Sequence, residues 1–582
     1  MWNFFKIVLG CLLALIVFSL LAVFFLVSMA GGIASKDKPT IAAKSVIVLD
    51  LGQRYEEQVR QNPLAIFTSE ERDVPGLYDV VRLLRVAKGD KDIAGIYIIA
   101  NNNPNGFAAS DEIRNALKDF KTSGKFILAH GDIITQSAYS IASIADSIYV
   151  SPQGYVEWDG YHVELAFLKG TLEKLDIDPQ IFYAGKFKSA TEPFRTEQMT
   201  PENELQTSVW LNDLYSDFLM KTAEVRKVDT ATLHQLANEA AIQNANDAVK
   251  YRLVDAMKYD DQLKDEIKSR LGIGKYDRIN FTSINTYYAA TNIHKSSGDR
   301  IALIYAQGNI VDGKSDEGIG GETYRNLVRK ARLDKTIKAI VFRVNSGGGS
   351  AMASEAIWRE LTLAKQEKPV IVSFGDVAAS GGYYISCAAD SIFALPTTIT
   401  GSIGVFGIIP NMQSFFKNKL GVTFDGVKTA PHADAGAIYR PLDEIEKRMV
   451  QANVEMIYTQ FKQRVAEGRK KDSAYIDSIA QGRVWTGLRA KDIGLIDRFG
   501  GIDDAVKAAA TKANLTDYSI REYPEPKNIF EEIFGKRDPM NYATKLKQEM
   551  GEDNFKIYEE IKNLRQMSNT VQAKLPFSFF IH

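Results

Sequence analysis

Residues 375–396 read GDVAASGGYYISCAADSIFALP, and residues 131–152 read GDIITQSAYSIASIADSIYVSP. The two stretches align without a gap at an offset of 244 residues, sharing Gly-Asp, a tyrosine, Ala-Asp-Ser-Ile and a closing proline. The same offset pairs IAGIYIIAN from Ile93 with IKAIVFRVN from Ile337, and Ser110 with Ser354. A nearly equal offset pairs ANDAVKYRLVDA from Ala245 with WTGLRAKDIGLIDR from Trp485. Self-similarity at a fixed offset means that one structural unit occurs twice. The copies span about residues 45–275 and 300–525, joined by RINFTSINTYYAATNIHKSSGDR from Arg278, a polar link without helical periodicity.

Within each copy, β-rich apolar runs alternate with helical patterns. In the second, IKAIVFRVN reads as a buried strand, SEAIWRELTLAKQE as a helix, KPVIVSFGD as a strand, GGYYISCAAD as a helix and SIFALP as a strand. Such alternation implies right-handed crossovers and a parallel sheet, so the fold class is α/β. The segment 526–582 (FEEIF, NYATKLKQEM, FKIYEEIKNLRQM) reads as a charged helical extension.

The first thirty residues carry a different signal. Ile7 to Met29 is 23 residues without a charge, about 35 Å as a helix, enough for a hydrocarbon core of roughly 30 Å. It reads as a transmembrane anchor; lysines on both sides leave its orientation undecided. Small residues follow it, so signal-peptide cleavage is the competing reading. The formal net charge is −1, without a long basic run, which gives nucleic-acid binding no electrostatic support. Cys11 and Cys387 form no CxxC or Cys/His pattern, so neither a metal site nor a disulfide framework is expected.

Three features of the second copy converge on one place. RVNSGGGSAMASEAI, from Arg343, is a strand ending in a glycine turn before a helix. It is either a plain turn or a set of backbone N–H groups for an oxyanion. It lacks the Gly-Lys-Ser/Thr of a phosphate loop. Ser380 falls where the next strand gives way to a helix, at the carboxyl end of the sheet where α/β proteins bind ligands. It fits a helix N-cap or a nucleophile, with the Gly381 N–H as an oxyanion donor. TGSIGVFG, from Thr400, is a compact turn that offers the Ser402 hydroxyl. In the first copy Gln136 stands opposite Ser380, and NNNPNG stands opposite the glycine turn.

A nucleophilic serine needs a base, and none of the six histidines has a triad context. The first copy contains FYAGKFKSATEPF, from Phe182, with Lys188 in a largely uncharged segment at the end of a strand, DPQIFYAG. The 244-residue offset sets His432 opposite it. Lys188 or Lys186 serves as a base only if burial lowers its pKa from about 10.4 to about 7–8; otherwise each is a solvated lysine.

Together these segments resemble peptidase family S49, the signal peptide peptidase A family, in its long duplicated form. The resemblance covers the anchor, both repeats, GKFKSATEPF, NSGGGS, ASGGYY and TGSIGVFG. It implies tandem crotonase-like/Clp protease-like domains after an N-terminal transmembrane helix. It also implies a Ser-Lys serine protease that needs no cofactor or metal. Ser380 is implied as nucleophile and Lys188, directly before Ser-Ala, as general base. Ser402 would orient the lysine, and Gly381 and Gly348 would form the oxyanion hole. The family turn usually has proline where this chain has Gly347, which makes the turn less rigid. Further expectations are a body on the outer face of the bacterial cytoplasmic membrane, contact with lipid through the anchor, and homo-oligomers of the order of a tetramer with a bowl-like cavity. The substrates would be hydrophobic peptides such as cleaved signal peptides. A crotonase-type acyl-CoA enzyme and a non-catalytic membrane scaffold are the competing functions. The sequence leaves open whether the dyad forms within one chain or between two.

Overall fold

The computed structural model describes residues 38–61, 73–293, 298–315, 318–525 and 571–575, with a few positions before residue 20. The Ile7–Met29 span lies for the most part outside the described residues; among these, no helix is long and apolar enough to cross a membrane.

Each copy is built on its own parallel sheet. In the first copy the strand order is Ala256–Met257, Ser147–Val156, Phe126–Ile134, Ile93–Ile99, Ser45–Asp50 and Phe281–Ser283. The inner strands are apolar on both faces because helices cover both. Ile47, Leu49, Ile96 and Ile98 face the helices Leu77–Gly89 and Phe107–Lys121. Val46, Tyr97 and Leu128 face Asp260–Leu271 on the other side.

The second sheet runs Val484–Thr486, Ile399–Gly401, Val370–Ala379, Ile337–Ser346, Asp299–Gln307 and Tyr518–Tyr523. Ser391–Ala394 also lies against Val370–Ala379. The pairings are parallel except where Val484–Thr486 closes the edge antiparallel to Ile399–Gly401.

A third sheet belongs to neither copy alone. Its order is Ile319–Gly320, Ile310–Val311, Gly348–Ser350, Gln572–Lys574, Val405–Asn411 and Asp178–Ala184. Asp178–Ala184, from the first copy, pairs antiparallel along its whole length with Val405–Asn411 of the second, from Ala184 opposite Val405 to Asp178 opposite Asn411. We call Asp178–Ala184 the crossing strand.

Two expectations need correction. The link after residue 275 is structured: Phe281–Ser283 is an edge strand of the first sheet, and Ile284–Ala290 is a helix capped by the Ser283 hydroxyl, with Ile284 and Tyr287 buried. Seven residues are too few for a 3.6-residue period to stand out among polar neighbours. The second correction concerns the C-terminal extension. Residues 526–570 and 576–582 lie outside the described residues, but 571–575 includes a strand, not a helix. Three strand residues inserted between two edges need partners rather than a pattern of their own.

A buried ion cluster joins the copies. Arg343, in the second sheet, is wholly buried. Its guanidinium donates to Glu57 (2.8 Å) and Glu112 (2.7 Å) of the first copy, and to Ser373 Oγ and the Phe374 carbonyl. Burial pushes the Glu112 carboxyl up, and the Arg343 charge opposes this. Asp376 likewise reaches across, accepting from the Ala109 N–H (3.0 Å) in the first turn of Phe107–Lys121.

Removing one partner of a buried ion cluster strands the others in low dielectric. Arg343→Met is therefore expected to cost about 3–5 kcal/mol of stability at neutral pH. The loss should shrink in acid, where Glu112, its carboxyl already pushed up by burial, takes up a proton. Denaturant midpoints at pH 7 and pH 5 check this; a neutral substitution at pH 7 would contradict it.

Candidate active site

Ser380 is the last residue before the helix Gly381–Ser386 and follows the strand Val370–Ala379. It occupies the N-cap position, yet its side chain makes no capping hydrogen bond. Its backbone sits at φ 54°, ψ −115°, a region that costs a residue with a Cβ about 1–3 kcal/mol. The equivalent turn in the first copy is relaxed: Thr135 caps its helix at φ −70° and accepts from the Ala138 N–H. The Ser380 turn is held by its own N–H donating to the Gly401 carbonyl (2.8 Å) and by the Tyr384 N–H donating to the Ser380 carbonyl (2.8 Å). The strained geometry turns the hydroxyl away from its own helix and toward Lys188.

Lys188 Nζ lies 2.9 Å from Ser380 Oγ, 3.1 Å from Ser402 Oγ and 3.3 Å from the Ser402 carbonyl. Lys188 is 1% exposed, and burial holds its pKa well below the ordinary lysine value. Lys186, two residues earlier, is exposed and lies over the Phe187 ring at 5.3 Å. The two lysines of the KFK stretch therefore have opposite surroundings. Ser402 sits at φ 49°, with its N–H fixed to the Arg483 carbonyl (2.7 Å).

Local packing explains why Lys188 stays in place. The crossing strand ends at Ala184, and Phe187 N–H donates to the Gln481 carbonyl (2.8 Å) of the second copy. Gly482, at φ 75°, packs directly on Lys188: a Cβ there would lie 2.7 Å from Lys188 Cα. Gln206, buried on the helix Pro201–Arg226, donates to Ser189 Oγ (2.9 Å) and the Phe187 carbonyl (3.1 Å) and accepts from the Val484 N–H (3.1 Å). Glu192, also buried, is held by Thr200 Oγ1 (2.6 Å) and Asn203 Nδ2 (2.9 Å). Sequence reasoning missed Gln206 and Glu192. The available signal was Asn203, Gln206 and Thr207 at helical spacing on the face that also carries Trp210 and Leu214, which marks a buried polar patch.

The glycine turn is an extended strand, Gly348–Ser350, with Gly348 at φ 98°. Gly348 and Gly381 approach so closely that a Cβ on Gly348 would lie 2.6 Å from the Gly381 nitrogen. The Gly348 N–H donates to Ser346 Oγ (3.1 Å) in this state.

The first copy's equivalent position is occupied. The Gln136 amide donates to the Gly160 carbonyl (2.8 Å) and accepts from the Asp159 and Gly160 N–H groups. His432, opposite Lys188 by the repeat offset, lies instead beside Asp443 at 3.1 Å. With Glu446 these form a grouping of metal-type donors, but Arg440 already takes both Glu446 oxygens at 2.7 Å. Cys387 is buried, its thiol pushed up to about 12 by desolvation, and is not a nucleophile.

A buried lysine amine within hydrogen-bond reach of a serine hydroxyl, its pKa lowered by burial, beside close-set backbone glycines, is equipped for acyl transfer. Known proteins resemble the chain. The model of peptidase family S49 matches residues 119–274 and 362–516, one match in each copy. Protease 4 of Salmonella typhi is 36% identical over 480 residues, which cover 80% of this chain and 76% of that one. The chloroplastic serine protease SPPA of Arabidopsis thaliana is 32% identical over 73% of this chain and 64% of its own. Among solved structures, a ClpP1 mutant from Listeria monocytogenes is 15% identical, with a TM-score of 0.24, over 35% of this chain and 94% of that one. Matches in both copies, with relatives of this identity over most of their length, mean that the chain is a serine protease and belongs to peptidase family S49.

Proposed function

We propose that the chain is an endopeptidase for extended apolar peptides, with Ser380 as nucleophile and Lys188 as general base. The observation that carries this reading is the 2.9 Å contact between a fully buried lysine and a serine that does not cap its own helix. Neutral Lys188 takes the Ser380 proton as Oγ attacks a peptide carbonyl. Backbone N–H groups of Gly381 and Gly348 stabilise the oxyanion, the latter on leaving Ser346 Oγ. The lysine then protonates the departing amine, and water, deprotonated by the same lysine, releases the acyl group. Ser402 holds the amine on the serine. A crotonase-type acyl-CoA function would have no use for this pair.

The uncharged Ile7–Met29 run supports a membrane anchor; the resemblance to the family puts the catalytic body on the outer face of the bacterial cytoplasmic membrane. Apolar peptides released in that membrane, cleaved signal peptides among them, are the substrate class in keeping with such a position.

The pH dependence has a definite sign. Only the free amine of Lys188 is a base, so kcat/KM should rise with pH through the lowered Lys188 pKa. Ser380→Ala and Lys188→Ala should each cost at least about 10²–10⁴ in kcat on an apolar peptide. Lys188→Arg should be inactive at every pH, because guanidinium keeps its proton. Activity surviving in Lys188→Arg would refute the lysine's role.

The same burial lowers stability. Between the Lys188 pKa and about 10.4 the unfolded chain holds the extra proton, so stability rises with pH across that window. Lys188→Met removes the penalty. Its melting temperature should exceed the wild type's, most at pH values below the Lys188 pKa, with the gain fading toward pH 10. A gain independent of pH would contradict the buried neutral amine.

A further inference from the structure

We infer that residues 571–575 are a built-in occupant of the peptide groove, and that substrate binds by displacing them. The inference rests on the reading that Ser380 and Lys188 are the catalytic pair, and it adds how the groove is filled and what it prefers.

Gln572–Lys574 is the middle of the third sheet. It pairs antiparallel with Gly348–Ser350 on one side, Ala573 opposite Gly349, and meets Val405–Asn411 on the other, Gln572 opposite Phe406. Without it, two strand edges would face each other across a slot one strand wide, roughly 9–10 Å. Such a slot takes an extended peptide by strand addition. The pairing continues at both ends: Leu575 N–H donates to the Gly347 carbonyl (2.5 Å), and the Ala351 N–H donates to the Val571 carbonyl (3.2 Å).

The register sets a carbonyl at the reactive point. The Ala573 oxygen lies 2.0 Å from where a Gly348 Cβ would sit and 2.9 Å from where a Gly381 Cβ would sit. It thus occupies the cleft between the two oxyanion glycines. Ser380 is wholly buried in this arrangement, so an incoming peptide cannot reach it until the strand leaves.

The occupant also reads out the groove. Ala573, at the carbonyl position, is fully buried, so a small side chain fits there. Two residues further on, Leu575 packs among Trp210, Leu214, Ala379, Ile399 and Val484. Trp210 and Leu214 come from the first copy's helix Pro201–Arg226, and the other three from the second copy. This apolar pocket lies on the leaving-group side of the scissile carbonyl and takes a leucine-like side chain. Val571, two residues before Ala573, packs on the second copy's core.

The test uses Ser380→Ala protein, so that the probe is not cut, in two lengths: the full chain and one ending at Thr570. The probe is a fluorescent peptide with the sequence of residues 568–578, SNTVQAKLPFS. A tethered competitor acts at an effective concentration on the order of millimolar. The shortened protein should therefore bind the probe at least about tenfold more tightly than the full chain. Leu575→Asp in the full chain should behave like the shortened form, since it expels the strand without removing residues. With Ser380 restored, both changes should lower KM for a short apolar peptide and leave kcat unchanged. Equal probe binding by all three proteins, or none by the shortened form and Leu575→Asp, would overturn the inference. An inactive wild type with the binding difference intact would instead refute the dyad and leave the occupied groove standing.

Discussion

The antiparallel pairing of Asp178–Ala184 with Val405–Asn411 is the constraint on which the site depends. It carries a lysine grown on one copy to a serine grown on the other. A strand advances about 3.4 Å per residue, and a one-residue slip turns every side chain to the opposite face. A 2.9 Å contact between Lys188 and Ser380 tolerates neither. Seven residue pairs fix the register, and Gly482, Gln206 and the Gln481 carbonyl then hold residues 185–188, from the strand end to the lysine.

Both copies pass from strand to helix at this point, with different turns and different uses. At Gln136 the side chain is spent on the neighbouring loop at Asp159 and Gly160. At Ser380 the backbone takes a costly conformation, and the hydroxyl is left for Lys188. The first copy supplies the amine, the helix that buries it, and the carboxylates that neutralise Arg343. The second supplies Ser380, the glycine strand and Ser402. Neither half holds a complete site, so the strain and the desolvated lysine persist only where the two sheets are docked.

Much of this was legible in the sequence, and the limits have physical causes. The strand–helix alternation carried the α/β class, because buried parallel strands leave uninterrupted apolar runs such as IKAIVFRVN. Ser380 stood out against Gln136. Lys188 and Lys186 could not be separated by pattern, since burial is a tertiary property; the resemblance to the family chose between them. The crossing strand read as a strand, but nothing in DPQIFYA says that its partner lies in the other copy. The strand at 572–574 was invisible, because its stability comes from two edges already in place. The glycine turn was expected as a loop and is a strand, since glycines at φ 98° and 154° let the backbone stay extended while passing close to its neighbours.

The central claim is that the dyad forms within one chain, from two halves of a duplicated fold. Mixing inactive variants tests it most directly. Lys188→Ala and Ser380→Ala chains are co-expressed, so that any oligomer contains both, and hydrolysis of an apolar peptide is measured. No recovery is expected, because each chain brings its own lysine to its own serine. Restored activity in the mixture would contradict it and would place the lysine of one chain against the serine of another.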